Sequence, residues 1–164
     1  SKEGNDPVAM HTLGCDYNHG RLGLSQDHEK AMELWLRAGE LGHAAANCNI
    51  GYAYDCGKGR VEMDRKKAIH YYELAAIGGN EYARFNLGSL EGRKGNVTRA
   101  MKHWMISAGA GVDDSLQAIR EGYLGGHATK DDFAKALRTH KVAADEMKSE
   151  QRQAAAALRP AFLG

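Results

Sequence analysis

One short pattern is written along this chain at near-constant intervals, and that repetition constrains the fold more than any other feature. Leu13-Gly14 recurs as Ile50-Gly51 and Leu87-Gly88, and in degenerate form as Ile119-Arg120, at intervals of 37, 37 and 32 residues. Lys30-Ala31 recurs as Lys67-Ala68, Arg99-Ala100 and Lys135-Ala136, at 37, 32 and 36. Positions in between keep the same register. Tyr17 maps to Tyr54, Glu91 and Tyr123; Trp35 maps to Tyr72, Trp104 and His140; Ala38 maps to Ala75. Agreement at so many positions marks a repeated structural unit.

The spacing inside each unit predicts two helices. Ala9, Leu13 and Tyr17 lie four apart and define one face, predicted to be buried. Gly14 adjoins it and, lacking Cβ, lets a neighbouring helix approach closely. Gly20 and Gly57 supply stops, because glycine tolerates the left-handed conformation that ends a helix. Asp27 and Asp64 are N-caps for the second helix, each three residues before the Lys-Ala step. Ala31, Trp35 and Ala38 form that helix's buried face, and Leu41-Gly42 and Gly78-Gly79 break the chain before the next unit. A pair of about 35 residues cannot bury both faces alone, so the units must stack. The fold class is all-α, an α-solenoid.

The later units depart from the pattern in readable ways. The third loses about five loop residues, running Gly92-Arg93-Lys94-Gly95-Asn96 into its second helix. The fourth puts Arg120 at the motif glycine and His140 at the motif tryptophan, as expected of a terminal cap facing solvent. Ser149-Glu150-Gln151-Arg152 is read as the cap of a last Ala-rich helix that ends before Pro160 and shields the final repeat. The expected division is therefore a repeat domain over 6–145, with units 6–42, 43–79, 80–111 and 112–145, and a capping helix and tail over 146–164.

These residues resemble the Sel1-like repeat family, a relative of the tetratricopeptide repeat. The pattern stands here as Leu13-Gly14, Tyr17, Gly20, Asp27, Lys30-Ala31, Trp35 and Ala38, then as Ile50-Gly51, Tyr54, Gly57, Asp64, Lys67-Ala68, Tyr72 and Ala75. Gly57-Lys58-Gly59-Arg60-Val61 also matches the loop usual between the family's helices. The resemblance implies a right-handed solenoid acting as an adaptor or scaffold in quality control or signalling. The stretch from Gly78 through Leu87-Gly88 to Arg138 looks like the eukaryotic type that follows a RING finger in ubiquitin ligases. Cysteine-rich bacterial members have been linked with β-lactam binding or hydrolysis and carry a cysteine pair at positions matching Gly39 and Asn47. Neither residue is cysteine, so the resemblance does not reach that branch.

Charge and composition exclude other classes. Among 164 residues, 22 Lys and Arg face 21 Asp and Glu, a net charge of +1, which argues against a strongly basic nucleic-acid surface. The longest apolar run, Ala154–Leu158, is far below the roughly 20 residues of a membrane span. The polar opening Ser1-Lys2-Glu3-Gly4 shows no signal peptide and suggests a piece of a longer protein, with a cytoplasmic setting expected. Cys15, Cys48 and Cys56 form no CxxC pair or zinc-finger spacing, and a reducing compartment suits them.

No phosphate-binding loop, nucleophile elbow or His-Glu-x-x-His occurs. A metal site from His11, Cys15 and Cys48 is the nearest candidate, and it lacks a shaped surround. Asp113-Asp114 and Asp131-Asp132 sit where helices are predicted to start, where the dipole explains them. The reading has no catalytic residue, no metal and no cofactor.

A stack of such units leaves a concave groove lined by first helices. With Ala9, Leu13 and Tyr17 inside, positions 11, 12, 15 and 18 are open. The register extends them into ladders: His11, Cys48, Phe85 and Gln117; Thr12, Asn49, Asn86 and Ala118; Cys15, Tyr52, Ser89 and Glu121; Asn18, Asp55, Gly92 and Leu124. From these, His11, Asn18, Cys48, Asn49, Tyr52, Asp55, Phe85, Asn86, Ser89, Gln117 and Glu121 are the candidate partner-binding residues. Exposed aromatics such as Tyr52 and Phe85 supply contact area at low entropic cost. Asn49 and Asn86 offer a donor and an acceptor to a peptide backbone, or else bridge adjacent units. The function expected is a non-enzymatic scaffold, a monomer binding a protein or peptide, with substrate recruitment to a ubiquitin ligase as its finer form. A hydrolase or metal-dependent enzyme of the bacterial branch, and an end-to-end self-assembly module, are the alternatives.

Overall fold

A computed structural model describes residues 2–158. After a short 3-10 turn (Lys2–Asn5) come α1 (Pro7–His19), α2 (His28–Glu40), α3 (Ala44–Cys56), α4 (Arg65–Ile77), α5 (Glu81–Arg93), α6 (Val97–Gly109), α7 (Asp113–Leu124) and α8 (Lys130–Leu158). There is no strand among the described residues. The fold is all-α, and the repeat sets its metre: α1, α3 and α5 begin 37 residues apart, as do α2 and α4. Eight residues join α1 to α2 and α3 to α4 but three join α5 to α6, which locates the five lost loop residues.

Local chemistry explains these boundaries. Gly20 and Gly57 end α1 and α3 at φ 63° and 62°. The Asp27 and Asp64 carboxylates accept the N–H of Lys30 and Lys67 at 2.9 and 3.0 Å. The first helices are capped as well, by Asp6 (from Val8 N, 3.0 Å), His43 (from Ala46 N, 3.2 Å) and Asn80 (from Ala83 N, 2.9 Å). One further device recurs with the repeat. The Lys30 ammonium lies 4.7 Å from the Tyr17 ring centre and that of Lys67 lies 5.0 Å from Tyr54, so the motif lysine sits over the motif tyrosine.

The chain forms two compact units, Ser1–Leu90 and Glu91–Gly164. In the first, Ala31, Trp35 and Ala38 of α2 pack with Met10, Ala46 and Ile50, and Ala68, Tyr72 and Ala75 of α4 pack with Cys48, Ala83, Leu87 and Leu90. The second helix of each pair is thus shared between its own first helix and the first helix of the next pair. That sharing corrects the expected face of α1. Its buried residues are Met10, Gly14 and Asn18, whereas Ala9 is exposed and Leu13 is 42% exposed. The equivalents of Leu13, Ile50 and Leu87, are 0% and 6% exposed because α2 and α4 cover them. Among the described residues no helix covers Leu13 in the same way.

In the second unit, Met101 and Ala108 of α6, Ile119 of α7 and Ala136 of α8 form the core, flanked by Trp104 and Phe133. Tyr123 stacks on Phe133 at 5.4 Å. A reciprocal cap opens α8: Thr129 Oγ1 accepts from Asp132 N at 3.1 Å while Asp132 Oδ2 accepts from Thr129 N at 3.1 Å. Those bonds from Thr129 hold the Asp132 carboxyl below its ordinary pKa. Two expectations are corrected here. His140 does not face solvent: its side chain is 16% exposed, and its Nε2 lies 2.7 Å from Oδ1 of Asp113, an exposed carboxylate at the head of α7. No helix begins at Ser149, because α8 runs through it without a break. The covering of α6 and α7 is done by the first half of α8, and every residue from Asp145 to Leu158 is exposed. The expected stop at Pro160 lies outside the described residues.

Candidate functional site

The predicted site residues divide by what the stacked helices do to them. Tyr52, on the outer side of α3, is 48% exposed, with the Lys58 ammonium 5.8 Å from its ring centre. A hydrogen bond with the Cys56 thiol, before any other influence, raises its hydroxyl pKa. His11, Asn49, Asp55, Phe85, Asn86 and Ser89 are half-buried, and Gln117 and Glu121 are exposed on α7, joined Nε2 to Oε1 at 3.1 Å. Ser89 Oγ donates back to the Phe85 carbonyl at 3.1 Å.

Asn18 and Cys48 are not open, and both are corrections. Asn18 is 8% exposed: its Oδ1 accepts from His28 Nδ1 at 2.9 Å, and its carbonyl accepts from Gln26 Nε2 at 2.8 Å. Cys48 is 9% exposed, and burial pushes its thiol pKa up to about 11. On α1 the flank that α2 covers contains Gly14 and Asn18 rather than Leu13, and on α3 Cys48 is enclosed by α4 and α5.

The same stacking of helices decides what the asparagines do. Asn49 Nδ2 reaches back from α3 to His11 Nε2 (3.2 Å) and Cys15 Sγ (3.5 Å) on α1, so it bridges successive first helices. Asn86 Nδ2 lies 3.9 Å from Cys48 Sγ in the equivalent place. The metal candidate is reshaped accordingly: His11 and Cys15 meet at 3.5 Å, but the third position beside them is taken by Asn49, and Cys48 turns its thiol to Asn86. Among the described residues, no three metal-ligating side chains converge. The His11 ring stacks on His43 at 4.6 Å, and burial, then the neighbouring His43, lower its pKa.

A cavity of about 340 Å³ opens within the first unit between α1, α2, α3 and the loop after α3. Its deepest lining is Trp35 and Ala53, each 6% exposed, with Met32 and Val61 beside them. Tyr52, Lys58 and His19 are its exposed residues, and Asn18, His28, Cys15 and Asn49 complete the wall. Lys58 lies in the loop after α3, where helical periodicity gives no signal, and it is the cavity's one permanently charged residue. No lining residue pairs a nucleophile with a base and a carboxylate, and the arrangement is suited to holding a ligand.

Thirteen-residue helices paired in sequence from α1 to α6, with α2 and α4 each shared between two first helices, define an α-helical repeat protein of the stacked-hairpin class. The Sel1 repeat model matches residues 7–43, 44–80 and 81–111, and the chain belongs to that family. The Sel1 repeat protein of Oxalobacter formigenes superposes with a TM-score of 0.72 at 27% identity, over 88% of this chain and 60% of that one. The protective antigen c5321 of uropathogenic Escherichia coli, of Sel1-like repeat fold, gives 0.71 at 28% identity, over 88% of this chain and 32% of the other. Among curated proteins, the chain is 33% identical over 103 residues to the ERAD-associated E3 ubiquitin-protein ligase component HRD3B of Arabidopsis thaliana, covering 63% of this chain and 16% of that protein. It is 34% identical over 81 residues to the chitin synthase regulator SKT5 of Saccharomyces cerevisiae, covering 49% of this chain and 12% of that one. The chain therefore spans less than a fifth of either curated relative. No helix among the described residues is long and apolar enough to cross a membrane.

Proposed function

We propose that this chain is a non-enzymatic interaction module that holds a peptide or protein partner on the outer side of its first helices. The observation that carries the reading is the cavity beside Tyr52: a half-exposed aromatic next to a mixed apolar and polar recess. Aromatic anchors beside a desolvated recess are where binding energy concentrates in protein interfaces. The curated relatives support it, since one is by name a ligase component and another a regulator of an enzyme, neither a catalyst by name. The finer form is recruitment of a client to a ubiquitin ligase. We read α7 and the first part of α8 as a fourth, degenerate unit that closes the repeat domain near residue 145, and the module as a monomer.

Affinity capture from cell extract with the intact chain and a Tyr52→Ala variant of equal helicity tests this. Proteins retained by the intact chain alone support the reading, and their identity names the pathway. The same proteins on both, or none on either, overturn it for this surface. Light scattering that gives more than one chain per particle at high concentration overturns the monomer.

A further inference from the structure

We infer that the cavity between α1, α2 and α3 receives an acidic side chain of an extended peptide, together with an apolar neighbour. The assignment rests on the peptide-binding reading above and names the chemistry of the peptide.

Charge is the first argument. No carboxylate lines the cavity, while its exposed rim carries the Lys58 ammonium and the His19 imidazole. A low-dielectric recess edged by one sign of charge favours a ligand group of the other sign. The Lys58 ammonium lies 5.8 Å from the Tyr52 ring centre, which places it at the opening, within reach of a ligand carboxylate. The second argument is the lining itself. Trp35, Ala53, Met32 and Val61 offer apolar contact, which a carboxylate alone would leave unused. A side-chain acid fits better than a chain terminus. Terminal carboxylates are captured by convergent backbone N–H groups, whereas α1 and α3 line the cavity with residues beyond their first turns, whose N–H groups are bonded within the helix, and Lys58 supplies a flexible ammonium for a group that brings its own reach.

The test uses the whole chain, ¹⁵N-labelled, titrated with acetyl-Gly-Leu-Glu-Leu-Gly-amide. Only two tryptophans are present, and Trp35 lines the cavity while Trp104 belongs to the other compact unit. The Trp35 indole N–H resonance should shift and that of Trp104 should not. The same peptide with Gln for Glu should bind about three- to tenfold more weakly. Lys58→Glu, a change at an exposed loop position, should abolish that preference and transfer it to the peptide with Lys for Glu. Equal shifts with the Glu and Gln peptides, a Glu preference that survives Lys58→Glu, or no response at Trp35 would each overturn the assignment. So would a stronger response to acetyl-Gly-Ser-Gly-Leu with a free terminal carboxyl. If capture of partners depends on Tyr52 while the peptides fail, the interaction module stands and the acidic-peptide assignment falls.

Discussion

A β-carbon at Gly51 would stand 2.6 Å from Cδ1 and 2.8 Å from Cε1 of Tyr72, so the glycine on α3 and the tyrosine on α4 are one packing unit. The same relationship recurs one repeat earlier, where a β-carbon at Gly14 would lie 2.6 Å from Nε1 of Trp35. The paired helices approach as closely as they do because the motif glycine leaves room for the motif aromatic. Tyr72 is 0% exposed and its ring has little room to retreat. Gly51→Leu should therefore destabilise the chain by about 1–3 kcal/mol or more through overpacking. Circular-dichroism melting checks this, and an unchanged midpoint would sink the assignment of this contact.

The shared second helix makes a contrast between two aliphatic residues of equal rank in the motif. Ile50 is fully buried against α2, and Ile50→Ala should cost about 2–5 kcal/mol. Leu13 occupies the equivalent place on α1 and is 42% exposed, so Leu13→Ala should cost less than about 1 kcal/mol. Urea denaturation of the two variants measures the difference. Equal losses would mean that Leu13 is covered in solution.

Thiol chemistry should separate the three free cysteines. Cys56 is exposed, Cys15 is half-buried, and Cys48 is buried with a pKa near 11. Only thiolate reacts quickly, so at pH 8 a maleimide should modify Cys56 first and leave Cys48 intact until the chain opens. Peptide mass spectrometry after timed quenching reads the order. Early modification of Cys48 would show that α3 and α5 separate readily.

Acid should loosen the joint between the first two helix pairs. His11 is faced by His43, Cys15 and Asn49, and its Nε2 must be unprotonated to accept from Asn49; His43 Nδ1 must likewise be unprotonated to cap α3. The folded pKa of His11 lies below the ordinary 6.5. Its contribution to stability is thus fully present above pH 6.5, where folded and unfolded chains are both neutral there, and is lost as pH falls from 6.5 through the folded pKa, because the unfolded chain takes up the proton first. Melting temperature should fall over that window, and His11→Asn should flatten the fall. A variant with an unchanged slope would remove His11 as its source.

What the sequence determined by itself is what short-range chemistry controls. The period of 37 residues, the caps Asp27 and Asp64, the left-handed stops at Gly20 and Gly57 and the missing loop residues before α6 all depend on residues within a turn or two of one another. A helical wheel also gives the angle between side chains, but not which flank another helix will cover. That choice is made by residues far along the chain, and for α1 it fell on Met10, Gly14 and Asn18. Asn18 is tolerated inside because His28, ten residues on, meets its amide. Asn49 turns to His11, 38 residues back, and so leaves no metal triad with Cys15. The recess beside Trp35 exists only once three helices and a loop converge on it. Burial and hydrogen-bond pairing are properties of such convergences, and one strand of sequence carries no record of where its neighbours will lie.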